Sequence, residues 1–137
     1  MPTDLTIHQL LAIAGLVVAL PLLAYLAAAQ KLAHSAVIAA SLSAGFAAFT
    51  AVTIWSEGIL PVIANHTVNL WGVQVWYDLL MAVVIALFFI VPRARKAGMM
   101  VPLWVMFVGA TASIGLLAMV ARLFWLERAG QEIAAEG

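Results

Sequence analysis

Four long apolar stretches dominate the sequence, at about 10–29, 36–55, 71–91 and 99–126. A helix that crosses a hydrocarbon core of about 30 Å needs about 20 consecutive apolar residues, and each stretch meets that length. Hydrophobic residues make up 66% of the chain and charged residues only 9%, whereas a soluble domain carries about 25% charged residues. Alternating-polarity segments typical of a membrane β-barrel are absent. The sequence predicts an all-α, polytopic membrane protein with four transmembrane helices in a single domain.

The composition also excludes several classes of function. There are no cysteines, which excludes disulfides, thiolate chemistry and Cys-ligated metal sites. Lys plus Arg number six and Asp plus Glu number six, so no basic surface for nucleic acid is expected. His8 and His66 fall on one side of the predicted membrane and His34 on the other, which disfavours bis-histidine haem. We predict no metal site, and the sequence requires no cofactor.

Basic residues predict the orientation of the four spans. Lys31 lies between the first two spans, and Arg93, Arg95 and Lys96 lie between the last two. The positive-inside rule therefore places both short connections in the cytoplasm and both termini outside, and only Arg128 opposes this. We expect an up-down bundle of two antiparallel hairpins in a bacterial cytoplasmic membrane. The basic cluster at 93–96 also suits contact with anionic lipid.

The first span is weighed against a secretory signal peptide. Three alanines near its end resemble a cleavage site, but no Lys or Arg precedes the span. A signal peptide needs a positive segment there and a shorter apolar stretch, so we expect the first span to be retained as a helix.

Small residues predict how the helices pack. In the second span, alanines recur every four residues at Ala36, Ala40, Ala44 and Ala48. Ser41 and Gly45 form an adjacent row on the same span, and Gly109 and Ser113 form a shorter face of this kind on the fourth span. Small side chains let membrane helices approach closely. Packing within the bundle is the first interpretation, and a homodimer interface is the alternative.

Asp78 is the most informative polar residue, because a carboxylate inside a membrane span costs about 2.5–3.5 kcal/mol at the centre and less toward an edge. Counting residues along the spans places Arg122 close enough for its long side chain to extend into the membrane and reach Asp78. Gln74 lies one turn away on the same helix face, and Tyr77 is adjacent. Three interpretations stay open: an ion pair that fixes helix register, a proton- or ion-coupled site, and a polar anchor for a lipid-like ligand.

The second half of the chain resembles a group of small, uncharacterised bacterial membrane proteins with four helices. The likeness is carried by the runs at 76–79 (WYDL), 92–99 (PRARKAGM) and 122–128 (RLFWLER). The chain departs from the group at 118–121, where a proline is expected. The resemblance implies the four-helix topology and the pairing of Asp78 with the end of the last span, and it implies no activity.

The sequence carries no catalytic signature, because it has neither a Gly-x-Ser-x-Gly motif nor a phosphate-binding glycine loop. The leading hypothesis is a non-enzymatic accessory or assembly subunit of a larger membrane complex, holding a lipid, quinone or pigment. The first alternative is a small oligomeric transporter or channel that uses Asp78, and the second is a membrane enzyme acting on a lipophilic substrate. The expected partners are the lipid bilayer and other membrane subunits or further copies of the chain.

Overall fold

The computed structural model describes residues 6–29 and 34–136, and in this part of the chain it contains helices and no strands. The helices are α1 (Ile7–Ala28), α2 (Ala36–Glu57), α3 (Leu60–Thr67), α4 (Leu70–Lys96), α5 (Val101–Thr111) and α6 (Ser113–Glu136). The predicted all-α class is confirmed. Helices α1, α2 and α4 are long and apolar enough to cross a membrane, and they match the first three predicted spans. Lys31, used above for orientation, lies outside the described residues.

Local sequence signals begin and end these helices. Side-chain oxygens of Thr6, Ser35 and Asn69 accept hydrogen bonds from backbone N–H groups in the first turns of α1, α2 and α4. Such N-caps satisfy donors that have no partner within the helix. Two glycines with positive φ, Gly58 at 80° and Gly98 at 74°, follow the ends of α2 and α4. Glycine adopts this backbone conformation without the penalty of a side chain.

The chain divides into two compact units, residues 1–34 and 35–137. The described part of the first unit is α1, an apolar helix with a capping box at its start. The second unit contains α2 to α6. Its core is built from the end of α4, the loop after it and the two following helices: Ala94, Met99, Val101, Val108, Met119 and Leu123.

The predicted fourth span, 99–126, is wrong as a single helix. The chain forms α5 and α6 instead, separated at Ala112, whose φ of 49° is rare for a residue with a side chain. A Cβ built on Gly115 would lie 2.9 Å from the Phe107 carbonyl oxygen and 2.9 Å from the Val108 Cα atom. Residues seven and eight positions apart along one helix are about 10–12 Å apart, so α6 folds back against α5.

This antiparallel helical hairpin stands where the sequence predicts a single fourth helix. Helix α5 has 11 residues, which gives it a length of about 16 Å, roughly half the thickness of a hydrocarbon core. The reversal brings α6 back to the end of α4, where Arg93 and Glu127 form an ion pair. The last helix therefore returns toward the basic end of α4 instead of continuing away from it.

Two further contacts join the remaining helices of the second unit. The Ser43 hydroxyl of α2 donates a hydrogen bond to the Ile114 carbonyl oxygen at the start of α6, at 2.9 Å, and Ser43 and Ala39 are buried there. Helix α3 lies against the start of α4, where a Cβ on Gly72 would be 2.6 Å from the Asn65 carbonyl oxygen. Glycine is required at this contact because any side chain would meet backbone atoms.

We predict that Gly115→Ala destabilises the hairpin. The added methyl group would overlap backbone atoms of Phe107 and Val108 that cannot move away without opening the turn. Overpacking of this kind lowers the free energy of unfolding by about 2 kcal/mol. Titration of the micelle-embedded protein with sodium dodecyl sulfate, followed by circular dichroism, measures that free energy.

Gly109→Ala is the matched control, because a Cβ at Gly109 meets no atom within 4 Å. We expect this variant to be as stable as the natural chain or slightly more stable, since alanine favours a helix interior. Equal unfolding curves for the two variants would contradict the close packing of α6 on α5.

Candidate functional site

Three of the predicted site residues, Gln74, Tyr77 and Asp78, lie together on an exposed side of α4. They border a shallow hollow of about 230 Å³ in the surface of this helix, whose lining is Trp71, Gln74, Val75, Tyr77, Asp78 and Met81. Asp78 stands eight residues after the first residue of α4, about 12 Å along the helix axis. The predicted proximity of the three polar groups is thus observed.

The described chain offers these polar groups no partner. Within residues 6–29 and 34–136, no hydrogen bond or ion pair reaches Gln74, Tyr77 or Asp78. The neighbours of Asp78 in the hollow are aromatic and aliphatic side chains of its own helix. A carboxylate without a partner is costly inside the hydrocarbon of a membrane, so the surroundings of Asp78 bear directly on its role.

Arg122, the predicted partner of Asp78, lies elsewhere. Its guanidinium group stacks on the Trp125 ring, 4.4 Å from the ring centroid. The physical reason is the reversal at Ala112, which carries Arg122 toward the C-terminal end of α4. Asp78 and Arg93 are about 22 Å apart along α4, so an arginine on this part of α6 cannot reach the carboxylate.

Arg93 forms the ion pair that joins α4 to α6. Its Nε and Nη2 atoms donate to the two carboxylate oxygens of Glu127, at 3.0 and 2.7 Å, and its guanidinium lies 5.7 Å from the Phe124 ring centroid. Bidentate pairing of this type is strong and directional. From the sequence, Arg93, Arg95 and Lys96 are predicted as topogenic and lipid-contacting residues, and Glu127 is not identified. The helix reversal, which brings Glu127 here, has no local signal in hydropathy.

The predicted packing residues are mostly uncovered. Ala36 and Ser113 are half-buried, while the other small residues singled out above are exposed: Ala40, Ser41, Ala44, Gly45, Ala48 and Gly109. The contact of α2 with α6 uses Ala39 and Ser43 on a neighbouring row. Ser43 could have been suspected from the sequence, because a hydroxyl group inside a span usually hydrogen-bonds to another helix or to its own backbone.

The histidines and acidic residues in the described part of the chain form no group of three that could hold a metal ion. His66 hydrogen-bonds to the Val62 carbonyl oxygen one turn earlier, and its ring lies 5.2 Å from the Trp76 ring. His66 therefore attaches α3 to α4. What the Asp78 region can do chemically is accept a hydrogen bond within an apolar helix.

Comparison of the chain with known protein families, with curated proteins and with solved structures finds no match. The resemblance described for the second half of the chain therefore remains a hypothesis. Any function has to be inferred from the residues and their contacts.

We predict that Glu127→Gln loosens the junction of α4 with α6. The Arg93 and Glu127 side chains are 42% and 30% exposed, so water screens part of their attraction, and we expect a loss of about 1 kcal/mol in the free energy of unfolding. Exchanging the two residues, Arg93→Glu with Glu127→Arg, should restore part of that loss. The same sodium dodecyl sulfate titration measures all three proteins.

Glu132→Gln is the control for this experiment. Glu132 pairs with Arg128 one turn away on the surface of α6, where the two side chains are 65% and 81% exposed. Exposed pairs within a helix contribute about 0.3–0.5 kcal/mol. A loss at Glu132 as large as the loss at Glu127 would refute a specific role for the Arg93 pair.

Proposed function

We propose that this chain is a non-enzymatic integral protein of a bacterial cytoplasmic membrane, acting as an accessory or assembly subunit of a larger membrane complex. The observation that supports the proposal is a continuous surface of small residues on α2 that the second unit leaves uncovered. This surface, called the small-residue flank below, consists of Ala40, Ser41, Ala44, Gly45 and Ala48.

The small-residue flank suits a helix from another protein. A Cβ at Gly45 would meet no atom of the chain within 4 Å, so the space beside it is open. The opposite flank of α2 carries large exposed side chains, Leu42, Phe46 and Phe49. Flexible lipid chains cover such large side chains well, whereas small residues favour the close approach of a second helix backbone. The two flanks thus divide α2 into a lipid-facing side and a side for a partner.

A lipid, quinone or pigment is the class of ligand that we propose for the exposed side of α4. Apolar grooves between membrane helices hold such molecules through contact area, with a few polar groups to orient them. Gln74, Tyr77 and Asp78 are polar groups that lie together around the hollow on this apolar helix. A visible absorption band in the purified complex would identify a pigment or quinone directly.

We further propose that the N-terminus faces outward and the C-terminus inward. Three crossings by α1, α2 and α4, followed by a hairpin that enters and leaves on one side, bring α6 back to the cytoplasmic side. This arrangement departs from the predicted outward C-terminus, which required a fourth crossing. It also places Arg128 inside, together with Arg93 and Arg95, in accord with the positive-inside rule.

The proposed orientation predicts which positions a membrane-impermeant thiol reagent will label. The chain contains no cysteine, so a single introduced cysteine is the only residue of the protein that the reagent can label. Applied to intact spheroplasts, the reagent should label Glu57→Cys, at the end of α2, and should label Gln131→Cys on α6 only after the membrane is broken. Both positions are exposed. Labelling of both Glu57→Cys and Gln131→Cys in intact spheroplasts would place the two positions on the same side and exclude a hairpin that enters and leaves on one side. Labelling of Gln131→Cys alone would invert the proposed orientation.

The accessory role predicts that Gly45→Leu releases partner subunits. Purification in a mild detergent from the membranes of the source bacterium should yield the natural chain with other proteins in fixed ratio. The Gly45→Leu variant should fold normally and lose at least about nine-tenths of that yield, because the larger side chain would keep a partner helix away from α2.

Leu42→Phe, on the large flank, enlarges a side chain that already faces outward and is expected to leave the partners bound. Its circular dichroism and that of Gly45→Leu should match the natural chain. Retention of partners by Gly45→Leu would contradict the use of the small-residue flank. Purification of the chain without any other protein in stoichiometric amount would contradict the accessory role as a whole.

A small transporter using Asp78 is the second candidate, and the unpaired carboxylate in an apolar helix is the observation that favours it. Liposomes containing only this chain distinguish the two functions. Proton-dependent flux that Asp78→Asn abolishes would establish the transporter and displace the accessory role.

A further inference from the structure

Helix α4 has one face that no other part of the second unit covers. Six exposed residues follow each other along it at alternating steps of three and four: Trp71, Gln74, Asp78, Met81, Ile85 and Phe88. Four of these are large apolar or aromatic side chains that are 55% to 76% exposed. The opposite face of α4, with Val83, Leu87 and Ile90, packs against the core of the hairpin. We call the exposed stripe of six residues the α4 seam.

The steps of the α4 seam correspond to the a and d positions of a heptad repeat. Apolar side chains with this spacing let two helices pack together along their whole length. The pattern lies opposite the face that packs on α5 and α6, so it serves no contact within residues 35–136. A single polar position in such a repeat fixes the register and the number of helices. Here Gln74 and Asp78 occupy one d and one a position.

Gln74 of one copy and Asp78 of another are complementary in hydrogen bonding when two α4 helices pack together. The Gln74 carboxamide donates hydrogen bonds and the Asp78 carboxylate accepts them. Both groups lie in the span without a partner in the described chain. In a symmetric pair, a contact from residue i to residue j is repeated from j to i, so one copy supplies both missing partners of the other.

Within the described residues, no hydrogen bond or ion pair supplies a partner to Gln74 or Asp78. The middle of α1, between residues 10 and 24, contains no side chain that forms hydrogen bonds. The Ser43 hydroxyl of α2 is already bonded to Ile114. The cations of α4 itself, from Arg93 onward, follow at the far end of the helix.

We propose that two copies of the chain associate in parallel through the α4 seam, with the Gln74 carboxamide of each copy donating to the Asp78 carboxylate of the other. Both copies enter the membrane in the same orientation, so the two α4 helices lie parallel. Gln74 of one copy is then about 6 Å along the axis from Asp78 of the other, a separation that its long side chain can span. The α4 seam and the small-residue flank lie on different helices, so the dimer does not depend on the binding of other subunits and can form with or without them. The dimer engages Gln74 and Asp78, so it excludes their use as anchors for the ligand proposed above.

Disulfide cross-linking in native membranes tests the seam. Ile85 and Val84 are neighbours with exposed fractions of 58% and 65%, but only Ile85 belongs to the α4 seam. With a membrane-permeant oxidant, Ile85→Cys should form a disulfide-linked dimer, and Val84→Cys should form roughly fivefold less, because its Cβ atoms are turned away from each other. Equal yields at the two positions, or no dimer from Ile85→Cys, would overturn the proposal.

A second set of variants tests the polar pair in the Ile85→Cys background. Gln74→Leu should lower the dimer yield about fivefold, whereas Val75→Leu, exposed beside Gln74 but outside the seam, should not change it. Asp78→Leu should lower the yield in the same way, and Asp78→Asn should retain it because the amide oxygen still accepts the hydrogen bond. Circular dichroism of each variant verifies that the helices are intact.

The remaining outcomes separate the dimer from other occupants of the seam. A disulfide product that joins this chain to a different protein would assign the seam to another subunit. An unchanged yield in both Gln74→Leu and Asp78→Leu would show that the two polar groups do not hold the copies together. Either result refutes the proposed pairing, and neither bears on the release of partners by Gly45→Leu.

Discussion

The contact of Gly115 with the backbone of Phe107 and Val108 is the constraint on which the rest of the second unit depends. It is possible only because Gly115 has no side chain and because the backbone at Ala112 turns with a positive φ. Once α6 has reversed along α5, Met119 and Leu123 enter the same core as Ala94. Glu127 then meets Arg93, and the ion pair closes the hairpin onto the end of α4.

The reversal also explains why so much apolar surface of the other helices is uncovered. A hairpin built on an 11-residue helix reaches only about half the thickness of a membrane, so it can cover α2 and α4 along part of their length. The buried residues of α2 are Ala39 and Ser43, in its first half, and the buried residue of α4 is Ala94, in its last turn. The remainder of both helices is left uncovered by the rest of the second unit.

The sequence predicts those features of the fold that depend on local composition, such as the apolar helices. It does not predict those that depend on contacts between distant residues, such as the reversal of the last helix. Three spans were predicted correctly as helices because length and hydropathy determine them. The stretch 99–126 is just as apolar, and a hydropathy window does not register a turn produced by close packing at Gly115. The pairing of Asp78 with Arg122 was wrong for the same reason, since it assumed a straight fourth helix. Arg128, which opposed the predicted orientation, was the sequence signal that α6 returns to the basic side.

The distribution of charge isolates Asp78 from the other charged residues. Arg93 with Glu127 and Arg128 with Glu132 neutralise each other at the hairpin and along α6. Arg122 lies on an aromatic ring, and Arg95 and Lys96 are exposed at the end of α4. Among the described residues, Asp78 stands within an apolar helix without such compensation. Its carboxylate and the Gln74 carboxamide are exposed together on one face of α4, and this shared exposure is the reason we propose that the face meets a second copy of the chain.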